Sequence, residues 1–177
     1  NGNAWTQAST PGAMAEVKRF AELGGTAKIV AACASPTMGV YTANNGVHGI
    51  GECGVDRLRV LGGQTRANGS AGFGSYKGTY SGASGPGKNI HIVGLEALGN
   101  TGHGFLFDAT DDGIDGVYLE GVLSIGNGLN GVVLSNGSDT CTGFKVLNSH
   151  IENNQRSGLR VVTTGGGITD VVISGCQ

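Results

Sequence analysis

The sequence is poor in proline, in charged residues and in long apolar runs. Only 3 of its 177 residues are proline, which excludes a collagen-like chain although glycine is abundant. Charged residues make up 14% and hydrophobic residues 38%, which excludes the composition of an intrinsically disordered chain. The net charge of −2 gives no electrostatic footprint for nucleic acid, and no stretch approaches the roughly 18 apolar residues of a membrane span. We therefore expect one folded domain with no nucleic acid partner and no membrane span.

The four cysteines are far apart and form no C-x-x-C pair. None has a histidine at the spacing of a zinc site. Free cysteine packs as a small apolar residue. We therefore expect Cys33, Cys53, Cys141 and Cys176 to be buried free thiols, and we expect neither a metal nor a cofactor.

Glycine is abundant, with 35 residues, and it punctuates an internal repeat. Segments 89–92, 116–119, 143–146 and 170–173 recur at one constant interval, which defines a repeat of about 27 residues. In each segment apolar residues alternate with other residues, which indicates a strand. The two apolar columns are Ile90, Val117, Phe144 and Val171, and Ile92, Leu119, Val146 and Ile173. A repeat that carries strands and returns to the same edge predicts a parallel β-helix.

A second strand is predicted in each repeat, and an asparagine column lies between the two strands. Gly104, Gly131 and Gly158 open the second strand. The asparagines are Asn100, Asn127 and Asn154. Identical asparagine side chains can hydrogen-bond to one another where rungs stack at about 4.8 Å. Each rung is thus expected to hold two or three short strands that pair with their copies above and below.

Before residue 89 the repeat is less regular. Residues 55–61 (VDRLRVL) indicate an earlier strand, which needs about five extra residues to fall in register, and the Gly/Ser-rich stretch 62–88 indicates an enlarged loop or an irregular rung. Residues 11–23 have an N-cap, an early proline and a glycine stop, which predicts a helix that caps the coil. We divide the chain into residues 1–26, with this helix, and 27–177, the β-helix, and expect the native chain to continue beyond Gln177.

The capping helix, segments 27–30 and 46–54, and the stacked Gly/Asn-rich rungs resemble the start of a pectate-lyase-like parallel β-helix. That superfamily includes polysaccharide lyases, glycoside hydrolases and the trimeric tailspikes of bacteriophages. A recognisable calcium-and-arginine lyase signature is lacking, and the chain is most like a tailspike fragment. The resemblance, with the general rule for parallel crossovers, implies an all-β, right-handed, single-stranded parallel β-helix with rungs of about 27 residues.

An acidic loop carries the first candidate catalytic residues. Asp108, Asp111, Asp112 and Asp115 lie close together in sequence, and Asp139 follows Asp112 by one full repeat, so it lies one rung away. Carboxylates on adjacent rungs can approach to about 5–7 Å, near the separations used in glycoside hydrolysis. Asp112 and Asp139 are therefore candidates for the acid and for the nucleophile or base. The alternative is a solvated turn in which the carboxylates cap backbone amides.

A second candidate surface is the outward column between the two apolar ones. It contains His91, Tyr118 and Lys145, with Glu120 beside Tyr118. A ring, a cation and a carboxylate on a flat ladder suit stacking on, and hydrogen bonding to, sugar rings. Glu120 is also a candidate catalytic carboxylate. The alternative is an ordinary polar outer face with no ligand.

Two further groups extend this hypothesis. His150, one rung from Glu120, suits substrate binding or proton transfer near neutral pH. Arg156 and Arg160 suit contact with an acidic sugar, although such residues more often only aid solubility.

Three functions stay open at this point. The first is a segment of a phage tailspike-like protein that binds, and in the fullest version cleaves, a bacterial surface polysaccharide. Such a protein is expected to be a homotrimer in the virion tail or outside the cell. The second is a non-catalytic structural or trimerisation segment of a tail fibre or surface protein. The third is a free-standing polysaccharide lyase or glycoside hydrolase.

Overall fold

The structure is a computed structural model that describes residues 41–52, 56–76, 87–109, 113–137 and 139–177. Within these ranges the regular structure is β-strand and no helix occurs. The predicted capping helix falls within residues 1–40 and lies outside the described residues. In the same ranges no helix is long and apolar enough to cross a membrane.

The described strands form three sheets, named A, B and C here, and every pairing between them is parallel. Sheet A contains β1 (Tyr41–Ala43), β4 (Gln64–Arg66), β7 (Glu96–Leu98), β10 (Leu123–Ile125) and β13 (His150–Glu152). Sheet B contains β2 (Ile50–Glu52), β5 (Phe73–Ser75), β8 (Phe105–Ala109), β11 (Val132–Asn136) and β14 (Leu159–Thr163). Sheet C contains β3 (Arg59–Leu61), β6 (Lys88–Val93), β9 (Asp115–Glu120), β12 (Cys141–Leu147), β15 (Ile168–Thr169) and β16 (Val172–Ser174). The chain passes through C, A and B in turn, and the predicted parallel β-solenoid is confirmed, with about four turns.

The predicted repeat length is confirmed by the strand register. Ile90 pairs with Val117, and Val117 pairs with Phe144, as the sequence columns predict. The earlier rungs differ in length, since the rung from Ile50 to its partner Phe73 is shorter than the regular repeat, and the rung from Phe73 to Phe105 is longer. The extra residues of the longer rung lie between sheets B and C, so the offset predicted for the strand within 55–61 is correct.

Residues 62–76 belong to an irregular rung, which is the second of the two alternatives predicted for residues 62–88. Strands β4 and β5 lie within it and pair in register with β7 and β8. Only the segment after Ser75 is longer than its counterparts, and residues 77–86 lie outside the described residues. Glycine and serine fit these strands because the rungs approach closely: a Cβ on Gly72 would collide with the Thr65 hydroxyl.

The solenoid interior is apolar and carries a stack of aromatic rings. Phe107 lies between Phe73 and Phe144, with ring centroids 5.6 Å apart in both pairs. All three side chains are buried, as are the inward residues of sheet C on the same rungs. At the last rung the inward side chains Val161 and Ile173 are exposed, because no described strand lies beyond them.

The asparagine ladder is confirmed and is longer than predicted. The Nδ2 of each member except the last donates to the Oδ1 of the asparagine on the next rung, at 2.8–3.1 Å. The members are Asn45, Asn68, Asn100, Asn127 and Asn154. The backbone N–H of each of the first four also donates to the next Oδ1. These bonds satisfy polar groups that would otherwise be buried without partners at the turn between sheets A and B.

The residue before each ladder asparagine has a left-handed backbone. Asn44, Ala67, Gly99, Gly126 and Asn153 have φ angles between 50° and 65°. This conformation turns the chain out of sheet A and aims the following asparagine inward. Glycine and asparagine tolerate it best, which explains their recurrence at this register.

The cysteine prediction is confirmed in part. Cys141 is buried and free, and Cys176 is free but only partly buried. Burial raises the pKa of the Cys141 thiol, which fits a structural role for this residue. Cys33 and Cys53 lie outside the described residues.

Candidate functional site

The outer face of sheet C carries most of the predicted ligand-contacting residues. Because Ile90 and Ile92 point inward, His91 between them points outward, and the same alternation holds on β9 and β12. In register the outward column is Arg59, His91, Tyr118, Lys145 and Val172. The next outward column is Leu61, Val93, Glu120, Leu147 and Ser174. Successive members are spaced by one rung, about 4.8 Å.

His91 and Tyr118 form an aromatic pair at the centre of this face. Their ring centroids are 4.5 Å apart and the planes are nearly perpendicular, at 88°. The Nε2 atom of His91 is buried and has no hydrogen-bond partner among the described residues. A buried polar atom without a partner costs free energy and calls for an explanation.

Glu120 lies beside Tyr118 on the same face of β9. The pKa of Tyr118 is raised, first by loss of solvation and then by the charge and hydrogen bonding of the Glu120 carboxylate. A carboxylate accepts hydrogen bonds, so the phenol hydroxyl is oriented toward Glu120. The Tyr118 ring and the Glu120 carboxylate therefore form one surface, with a polar group at the edge of an aromatic ring.

Lys145 completes the face on the next rung. It pairs with Tyr118 in register and is partly buried. Its ammonium and the Glu120 carboxylate provide donors and acceptors on either side of the rings. His91, Tyr118, Lys145 and Glu120, which the sequence placed on one surface, do share that surface, and we call these four residues the sheet C face.

The candidate catalytic carboxylates are placed differently. Asp112 lies outside the described residues. Asp139 is exposed in the turn between β11 and β12, where its carbonyl accepts a hydrogen bond from Asn136 Nδ2 at 2.7 Å. Glu120 pairs with Leu147, at the opposite end of β12 from Asp139. The structure thus does not bring Asp139 and Glu120 together.

His150 does not join the sheet C face. It lies on β13 of sheet A, beyond the bend at Asn148, whose φ is 48°. Its Nε2 is 3.2 Å from the Glu152 carboxylate. In register it pairs with Leu123 of sheet A.

Arg156 lies in the turn between β13 and β14, close to a histidine that the sequence analysis did not select. Burial is the first cause that lowers the pKa of His103, and the charges of Arg156 and Arg160 lower it further. The register offers a signal: His48, Ala71, His103, Asn130 and Ser157 each precede the glycine that opens a sheet B strand. Three of those glycines, Gly104, Gly131 and Gly158, fall in register in the sequence repeat, and the residues before them were not selected.

The residues described above present an aromatic pair, a side-chain amide and charged groups. No group of three or more potential metal ligands occurs in the described part of the chain. Comparisons with protein-family models, with curated proteins and with solved structures found no match to this chain.

Proposed function

We propose that the sheet C face binds a polysaccharide, and that the chain is a carbohydrate-directed segment of a tailspike-like protein. The observation that carries the proposal is the paired His91 and Tyr118 rings on a flat parallel sheet, flanked by Glu120 and Lys145. Sugars present apolar C–H faces edged with hydroxyls, so they pack on rings and hydrogen-bond to neighbouring polar groups.

The geometry favours an extended ligand over a small one. Among the described residues the face is a sheet surface, and its side chains repeat at the rung spacing of about 4.8 Å. A polymer crossing several rungs collects many weak contacts on one rigid surface. The Nε2 atom of His91, which has no hydrogen-bond partner among the described residues, is a candidate partner for a ligand hydroxyl.

The direct test compares ring variants in binding assays with purified bacterial and plant polysaccharides. Tyr118→Ala is expected to weaken binding about five- to tenfold, as for the loss of about 1–1.4 kcal/mol of ring contact. The matched control is Tyr41→Ala, which removes an exposed ring from sheet A. Equal affinities of wild type and Tyr118→Ala, or no binding across the panel, would contradict the proposal.

Cleavage of the bound polymer belongs to the wider proposal. Asp112 and Asp139 stay its predicted acid and nucleophile or base, and location in a virion tail or outside the cell is part of the same proposal. Reducing ends and unsaturated products are to be followed together in the binding assays, since hydrolysis gives only the former. Loss of product with Asp139→Asn while binding persists would support a catalytic carboxylate.

A second candidate function is structural, because sheet A has an apolar outer patch. Leu98, Leu123 and Ile125 point outward on adjacent rungs and are only partly buried. This patch suits packing against copies of the same chain in a trimer. The two functions are compatible, since the patch and the sheet C face lie on different sheets.

A further inference from the structure

The turn between sheets A and B carries a stack of polar side chains on three successive rungs. Asn130 donates to His103 Nδ1 through its backbone N–H at 3.3 Å, and its Nδ2 lies 3.2 Å from the same atom. The backbone N–H of Ser157 donates to Asn130 Oδ1 at 3.2 Å. The stack holds the His103 ring in a fixed orientation.

These contacts determine which nitrogen of His103 carries its proton. A backbone N–H can only donate, so Nδ1 must accept, and the proton of the neutral ring is on Nε2. The lowered pKa of His103 agrees with a neutral ring near pH 7. Nε2 has no hydrogen-bond partner among the described residues and is a donor available to a ligand.

Two arginines lie two rungs along the solenoid from His103. Arg156 directly precedes Ser157 in the stack, and its backbone N–H is held by the Leu129 carbonyl at 3.0 Å. Arg160 follows on β14 and pairs in register with Val133. Both arginines are exposed, and neither forms an ion pair within the described ranges. Ser157 contacts Asn130 and Asn130 contacts His103, so the stack links the arginine-bearing rung to the histidine, and the charges of both arginines lower the pKa of His103.

Other charges on this side are few. Among the described residues, the one carboxylate on the outer face of sheet B is Asp108, at the far end of β8. Val133 points outward between Leu106 and Arg160 and is only 5% exposed. Arg160 therefore borders a strip of surface that contacts little water. Positive charge beside low-polarity surface strengthens attraction to an anion.

We propose that His103, Arg156 and Arg160 form a second binding site, for the carboxylate groups of an acidic polysaccharide. Guanidinium groups bind carboxylates through paired N–H donors. The His103 Nε2–H adds a further hydrogen-bond donor from another side chain. The site is shallow and exposed, which fits a group presented on a long polymer. It lies on a different face from Tyr118, so it does not depend on the sheet C proposal.

The test uses oligogalacturonate as the acidic probe and neutral dextran as its uncharged counterpart. Arg156→Gln and Arg160→Gln are each expected to weaken oligogalacturonate binding about two- to fivefold, as for one exposed ion contact. The double variant is expected to lose about tenfold and to show a shallower dependence on salt. Arg66→Gln is the matched control, because it removes one exposed positive charge from sheet A.

A second readout separates this site from non-specific attraction. Bound carboxylate is expected to raise the NMR-measured pKa of His103 in the wild type and not in the double variant. Tyr118→Ala should leave this rise intact, whereas it should weaken binding at the sheet C face. An unchanged His103 pKa, equal binding of dextran, or an equal loss in Arg66→Gln would overturn the proposal.

Discussion

At positions with a left-handed backbone, the identity of a single residue affects the stability of this chain. Gly99 has a φ of 57°, and a Cβ placed there meets nothing within 4 Å. A side chain at this position therefore destabilises the protein through backbone strain alone, without a steric clash.

Gly99→Ala is expected to destabilise the protein by about 1 kcal/mol, because alanine strains in the left-handed region. Urea unfolding measures the change. The control is Gly46→Ala, where a Cβ also meets nothing within 4 Å but φ lies outside the left-handed region. A loss as large at Gly46 as at Gly99 would show that conformation is not the cause.

The ladder asparagines are a second residue-scale feature with a measurable effect. Asn100 accepts from Asn68 and donates to Asn127, and it is 1% exposed. Asn100→Ala is expected to cost about 3 kcal/mol, since it leaves buried donors and acceptors unpaired. Gln155→Ala, an exposed change at the same turn, should stay within about 0.5 kcal/mol. Similar unfolding free energies for the two variants would contradict the ladder's role.

His103 predicts how stability depends on pH. Its pKa is lowered in the folded state, so the folded chain binds its proton less readily than the unfolded chain. The stability due to neutral His103 is present above about pH 6.5 and is lost as the pH falls toward the folded-state pKa. His103→Asn matches the Asn130 found on the next rung and should flatten that acid decline. His150→Asn is the control, and an equal flattening there would refute the assignment.

At the scale of elements, the strands that sequence reasoning found differ from those it missed. The strands of sheets B and C contain two inward apolar residues in each regular rung, which gives a clear alternation. The sheet A strands have three residues and one inward side chain, Ala97 in β7 and Ser124 in β10. One inward small or polar residue per strand gives no alternating pattern. The sequence therefore did not determine whether each rung has a third strand. Asn45 and Asn68 were missed because the rung after Asn45 is shorter, and the rung after Asn68 longer, than the regular repeat.

The aromatic stack ties the elements together across rungs. Phe107 is buried and contacts rings on both neighbouring sides. Phe107→Ala is expected to cost about 3–5 kcal/mol by creating a cavity, and Phe107→Leu clearly less. The nearby outward Leu106→Ala is the control in the same urea experiment. A loss at Leu106 equal to that at Phe107 would mean that the stack is not a main source of cohesion.

At the scale of the whole molecule, the fold was predictable and the site was predictable only in part. Strand columns depend on local alternation and repeat length, which the sequence displays. Whether Asp139 and Glu120 come together depends on where a turn leaves its strand, which the repeat length does not determine. The His103 cluster depends on the charges of Arg156 and Arg160, which act on the histidine from two rungs away.

Association between copies is the whole-molecule prediction that follows from sheet A. If Leu98, Leu123 and Ile125 pack against sister chains, light scattering should give a trimer at micromolar concentration. Ile125→Glu should dissociate it, because association would bury an unpaired charge. Val93→Glu, an equivalent change on the outer face of sheet C, is the control. A monomeric wild type would contradict the structural function.

The most direct test of polysaccharide binding at the sheet C face is an NMR titration of the wild-type protein with the neutral polysaccharide that binds best. The largest shifts are expected at His91, Tyr118, Glu120 and Lys145, with saturation at one affinity. Shifts confined to sheet A, or spectra unchanged by every polysaccharide, would contradict binding at that face.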